Sequence, residues 1–127
     1  MTTAPTERIA AGPKGRVVSL VLPTGESPAL DFLRGLDEAA QAAFKARFER
    51  LTGFGFLRSP EAWRRLDVAG NPAVYEIKVH KGPGYRLYVI RHDPTLWVAT
   101  HGRKKPKDKA VPGEVSRARG LYEGWRA

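Results

Sequence analysis

The sequence contains no cysteine. That removes disulfides, cysteine-zinc sites and thiol nucleophiles together, and gives no sign of an oxidising compartment. No apolar run approaches the roughly 18 residues of a membrane-spanning helix, and Met1 to Pro13 lacks the apolar centre of a signal peptide. A soluble, cytoplasmic protein with no membrane partner is therefore expected. No G-x-x-x-x-G-K-[ST] loop and no G-x-S-x-G turn occurs, which argues against a nucleoside triphosphatase and an α/β hydrolase. His80, His92 and His101 fall on separate segments without a paired acidic ligand at a recognisable spacing, so neither a metal site nor a cofactor is expected.

Acidic residues are scarce relative to basic ones. Aspartate and glutamate number 13 against 22 lysines and arginines, giving a formal net charge of +9 and an isoelectric point near 10.3. Residues 73–127 hold 12 basic and 5 acidic side chains, whereas residues 1–72 hold 10 and 8. A clustered excess of this size points to a polyanionic partner, nucleic acid above all, with the basic function in the C-terminal half. The 127 residues suffice for one domain around one core.

Residues 1–14 are rich in Thr, Ala, Pro and Gly without periodicity and read as a flexible tail that the fold does not need, leaving residues 15–127 as the domain. Arg16 to Leu22 is a β-branched run closed by Pro23-Thr24-Gly25, a strand ending in a turn. Ser27-Pro28 then offers an N-cap and a proline at the first helical position. Leu30, Leu33, Ala40, Phe44, Phe48 and Leu51 continue as one helical stripe broken only by Asp37, and the helix should end near Gly53. Ser59-Pro60 repeats the start signal and predicts a second helix through Leu66, stopped by Gly70-Asn71-Pro72.

From Ala73 the period changes to two, with Tyr75, Ile77 and Val79 on one face and Glu76, Lys78 and His80 on the other. A turn at Lys81-Gly82-Pro83-Gly84 leads into Tyr85 to His92, and Asp93-Pro94-Thr95 into Leu96 to Gly102, making a three-stranded meander. Val115, Ala118, Tyr122 and Trp125 form the stripe of a last helix. The expected fold is α+β, in the order β-α-α-β-β-β-α, with a small antiparallel-rich sheet and helices packed on one face.

With the apolar strand face turned to the helices, the other face is expected to stay open. It would carry Glu76, Lys78, His80, Arg86, Tyr88 and His92, joined at the strand end by His101, Arg103, Lys104, Lys105 and Lys107. Each residue alone is more often structural or solvated. Phosphate-binding cations, stackable rings and proton-transfer groups on one face together point to a functional, nucleic-acid-facing patch.

Three segments, V-Y-E-I-K-V at 74–79, G-Y-R-L-Y-V-I at 84–90 and V-A-T-H-G-R-K-K-P-K-D-K-A at 98–110, followed by a helix, resemble the RelE/HigB superfamily of toxins and its phage-derived toxin-like branch. The likeness spans about residues 57–126 and rests on the order of these motifs. It implies the same element order and a metal-independent endoribonuclease that cuts messenger RNA on the ribosome and is held inactive by a cognate antitoxin. By motif, Arg86 matches the strand arginine at the scissile phosphate, Lys78 a basic residue of the first hairpin strand, and Arg103 to Lys107 a segment supplying further cations. The H-G-F-x-K-K form common in HigB-like members stands here as His101-Gly102-Arg103-Lys104-Lys105, with Arg103 in place of the aromatic.

The expected catalytic residues are Arg86, His101, Lys104 and Lys105, and the expected RNA-binding residues are Lys78, Tyr88, Arg103 and Lys107. Arginine suits a phosphorane because its planar fork contacts two oxygens. A proton shuttle by His101 or by one of the crowded lysines is open between the two. A non-catalytic nucleic-acid-binding module, or a phage-derived host-interaction protein that kept the fold, would use the same basic face.

Overall fold

The computed structural model describes residues 4–66 and 72–127. Strands β1 (Thr6–Gly12) and β2 (Gly15–Leu20) form a hairpin, followed by helices α1 (Pro28–Arg34) and α2 (Glu38–Phe54). Strands β3 (Trp63–Arg65), β4 (Val74–Val79), β5 (Tyr85–Asp93) and β6 (Leu96–Lys104) come next, then a 3₁₀ turn at Asp108–Ala110 and helix α3 (Val111–Arg126). All six strands make one mixed sheet in the order β1-β2-β6-β5-β4-β3, antiparallel except for the β2–β6 pair. The α+β class and the meander stand as expected. Among the described residues, no helix is long and apolar enough to cross a membrane.

Three elements differ from expectation. The segment read as a loose tail carries β1, with Ile9 and Ala10 packed against the core. An edge strand hydrogen-bonds on one side only and buries little, so it needs no apolar alternation to give it away. The long helical stripe is two helices, because Asp37 is an N-cap whose carboxylate accepts from Ala40 N at 2.8 Å. The second helix expected from Ser59 to Leu66 is instead the short strand β3, paired with β4 through Arg64 and Glu76. The Gly70-Asn71 stop lies outside the described residues.

The largest correction concerns the layers: helices cover both faces of the sheet. Phe44, Phe48 and Leu51 of α2 pack on one face against Ile77, Leu87 and Trp97. On the other face the α3 stripe of Val115, Ala118, Tyr122 and Trp125 packs against Val18, Tyr88, Ile90 and Val98. The face expected to be open is thus half roofed by α3. Burial of four such side chains, each contributing about 1–3 kcal/mol, outweighs leaving the strand face wet.

A β-bulge sets the remaining geometry. Tyr88 pairs with His101 but Val89 pairs with Ala99, so Thr100 is an extra residue on β6. The bulge reverses the alternation beyond it. It brings His101 beside Tyr88, with ring centroids 4.6 Å apart, and Arg103 opposite Arg86, while Gly102 lies under the Phe32 ring of α1.

Candidate functional site

Where α3 stops covering the sheet, a cleft of about 170 Å³ is lined by Arg64, Glu76, Lys78, Arg86, Lys105, Pro106, Asp108 and Val111. Its floor comes from three adjacent strands. The β3–β4 register sets Arg64 against Glu76, and the β4–β5 register sets Lys78 against Arg86. Lys105 reaches the cleft because its N–H donates to Gly84 O at 2.9 Å, and Gly84 adopts φ +82°, the left-handed conformation that glycine takes without strain.

Glu76 is the centre of the cleft. It is 2% exposed, yet its carboxylate meets three cations: Arg64 Nη2 at 3.3 Å, Arg86 Nε at 3.7 Å and Lys78 Nζ at 3.8 Å. A buried carboxylate is tolerated when cations and hydrogen bonds replace lost water, and this one has a surplus of cations. The two longer contacts exceed a tight charge-assisted hydrogen bond, so donors of Arg86 and Lys78 remain for an incoming anion. Arg86 spends Nη1 on Tyr85 O at 3.0 Å, which fixes the guanidinium plane. The Lys78 ammonium is pushed below its ordinary pKa, first by burial and then by Arg64, Arg86 and Lys105, against the opposing pull of Glu76.

A second polar chain lies beneath α3. Glu114, in the first turn of that helix, accepts from Arg103 Nη1 and from His101 Nε2, each at 3.2 Å. His101 is 1% exposed, and burial lowers its pKa to about 4, which makes it a neutral hydrogen-bond donor at pH 7. Thr100 Oγ1 lies 3.1 Å from the other ring nitrogen. Tyr88 is fully buried, its hydroxyl has no hydrogen-bond partner among the described residues, and burial raises its pKa. Tyr88 is thus no stacking surface and His101 no exposed proton shuttle, since both lie under α3.

Of the remaining expected residues, Arg86, Lys78 and Lys105 converge on the cleft. Arg103 is exposed beside it and tied to Glu114. Lys104 is exposed and pairs with Tyr85, whose ring packs on the α2 face, so it turns away from the cleft. Lys107 is exposed ahead of the 3₁₀ turn and does not line the cleft. Among expected open-face residues, His80 is held by Glu61 O at 2.8 Å and His92 by the Tyr122 hydroxyl at 2.6 Å. Arg64 and the role of Glu76 were missed. The signal for Glu76 was its place between Tyr75 and Ile77 on a strand facing three cations, but charge and alternation alone read it as a solvated partner.

Among the described residues, no group of three or more His, Cys, Asp and Glu side chains is positioned to hold a metal ion. Chemically, the cleft offers two carboxylates, the buried Glu76 and Asp108 at its rim, a crowd of anion-binding cations, and one lysine shifted towards releasing its proton. No protein-family model, curated protein or solved structure matches the chain.

Proposed function

We propose that the chain is a metal-independent endoribonuclease of the RelE/HigB type, cutting messenger RNA on the ribosome in the cytoplasm and neutralised by a cognate antitoxin. The observation that carries this reading is the buried Glu76 carboxylate held among Arg64, Lys78 and Arg86 in a cleft of about 170 Å³. The motif order of the meander and the net charge support it further.

In this reading Glu76 takes the proton of the ribose 2′-hydroxyl as the 2′-oxygen attacks the adjacent phosphorus. Arg86 and Arg64 stabilise the charge that builds on the phosphorane oxygens. The bond from phosphorus to the 5′-oxygen breaks, and the leaving oxygen takes a proton from the Lys78 ammonium, whose lowered pKa eases its release. The products are a 2′,3′-cyclic phosphate and a 5′-hydroxyl, and solvent returns Glu76 and Lys78 to their starting protonation states. The cations come from the chain itself, with Lys105 at the mouth to draw in the backbone.

Induced expression in cells, followed by mapping of messenger RNA ends, tests this. Growth arrest with codon-associated cuts is expected for the parent chain and not for Arg86→Ala. Binding to RNA without new ends would instead identify a non-catalytic nucleic-acid module, and arrest without RNA cuts a host-interaction protein.

A further inference from the structure

A second basic concavity lies outside the cleft. Arg47, Arg50, Arg58, Glu61 and Ala62 line a groove of about 320 Å³ between α2 and the segment leading into β3. The carboxylate among these lining residues, Glu61, stands 3.8 Å from Arg58 with both side chains largely exposed. Such a pair is weak and exchanges readily for another anion. The groove therefore carries a local excess of positive charge.

Two exposed aromatic rings lie close to it in the chain, Phe54 against the groove's Arg50 and Phe56 two residues ahead of its Arg58. Phe54 and Phe56 are 60% and 63% exposed, the large apolar side chains most open to water among the described residues. They stand on either side of Gly55, whose φ of 88° ends α2. The Arg50 guanidinium carbon sits 5.3 Å from the Phe54 ring centroid, so a groove cation and a ring are already in register. Arg47 ties the groove to the strand that floors the cleft, because its Nε donates to the backbone carbonyl of Lys78 at 3.0 Å.

We infer that this groove is a second binding site, for single-stranded nucleic acid, in which Phe54 and Phe56 stack bases and Arg47, Arg50 and Arg58 hold phosphates. Every base presents a flat face that a phenyl ring accepts, and the arginine fork matches two phosphate oxygens. A duplex keeps its bases stacked on one another and gains nothing from the rings. An acidic peptide would satisfy the arginines but has no planar groups for two exposed phenyl rings. The site does not depend on the chain cutting RNA.

The test uses the full chain and a single-stranded 2′-O-methyl oligoribonucleotide, which lacks the attacking hydroxyl and is bound without being cut. Affinity is read by fluorescence anisotropy across a salt series. Arg50→Ala with Arg58→Ala, both at exposed positions, should flatten the slope of log affinity against log salt by about 1.4, at roughly 0.7 per phosphate contact. Phe54→Ala with Phe56→Ala should weaken binding about tenfold or more while leaving the slope in place. Phe54→Trp should add an emission that is quenched by the oligonucleotide and left unchanged by polyglutamate. Unchanged affinity and slope in both double variants would overturn the site, as would equal quenching by polyglutamate, which marks a surface for acidic protein. Cleavage by Glu76→Gln is measured separately, so failure of the cleft chemistry is distinguishable from failure of the groove.

Discussion

Arg86 and Arg103 lie opposite each other across the β5–β6 ladder, and each turns to a different carboxylate. Arg86 Nε stands 3.7 Å from Glu76, and Arg103 Nη1 stands 3.2 Å from Glu114. Like charges facing each other across a ladder are destabilising unless each is compensated. The two glutamates do this, and they divide the surface into a cleft open to solvent and a polar chain whose His101 is sealed under α3.

The sealed chain makes stability depend on pH. His101 has a pKa of about 4 in the folded protein against 6.5 in the unfolded chain, because burial disfavours its charged form. Between those values the unfolded state binds more protons, so acid favours unfolding. The contribution is complete above about pH 6.5 and is lost as pH falls to about 4, amounting to about 3 kcal/mol at 1.36 kcal/mol per unit. Denaturant melts of the parent chain and of His101→Gln across this range should show a much shallower acid slope in the variant. Parallel slopes would show that His101 is not the titrating group.

Gly102 should tolerate no side chain. A Cβ there would collide with the Phe32 ring, which is already set edge-on to Phe44 at 5.9 Å and Tyr85 at 6.1 Å. Gly102→Ala should therefore destabilise by about 1–3 kcal/mol, as overpacked cores do, and lower the melting temperature by several degrees. An unchanged melting temperature would mean that α1 moves away at no cost.

Removing residues 1–13 should also destabilise the protein. The deletion takes away β1, the packing of Ile9 and Ala10, and Pro5 O, which accepts from Trp125 Nε1 at 2.7 Å. Half-burying Ile9 and satisfying a buried indole together are worth on the order of 2 kcal/mol. Calorimetry of the truncated chain checks this, and an unaltered transition would return the segment to the status of a tail.

The sequence made the meander and the α3 stripe legible, because period-two and period-3.6 patterns are local. Asp37 was visible as a break in a helical stripe, but a break and an N-cap look alike until the chain turns. The bulge at Thr100 left no mark, since one extra residue changes no composition and yet decides that His101 and Arg103 join the face of Tyr88 and Arg86. Which face α3 covers was equally hidden. That one tertiary choice buries Tyr88 and His101 and leaves Lys78, Arg86 and Lys105 as the expected residues that line the cleft around Glu76. Convergence of charge from three strands is a property of register, which side-chain type does not encode.

The central claim is that the Glu76 carboxylate accepts the proton of the attacking hydroxyl while Arg86 stabilises the phosphorane. Glu76→Gln keeps the size of the side chain and removes its basicity. The most direct measurement is the single-turnover cleavage rate of ribosome-bound messenger RNA by the parent chain, Glu76→Gln, Arg86→Ala and Arg86→Lys, with circular dichroism confirming that each is folded. The account predicts a fall of about 10²–10⁴-fold for Glu76→Gln and about 10²–10³-fold for Arg86→Ala, with little recovery in Arg86→Lys because a point charge cannot reproduce the fork. Affinity of Glu76→Gln for uncleavable RNA should hold or rise, since an anion has left the cleft. A folded Glu76→Gln chain that cuts at the parental rate would contradict the account.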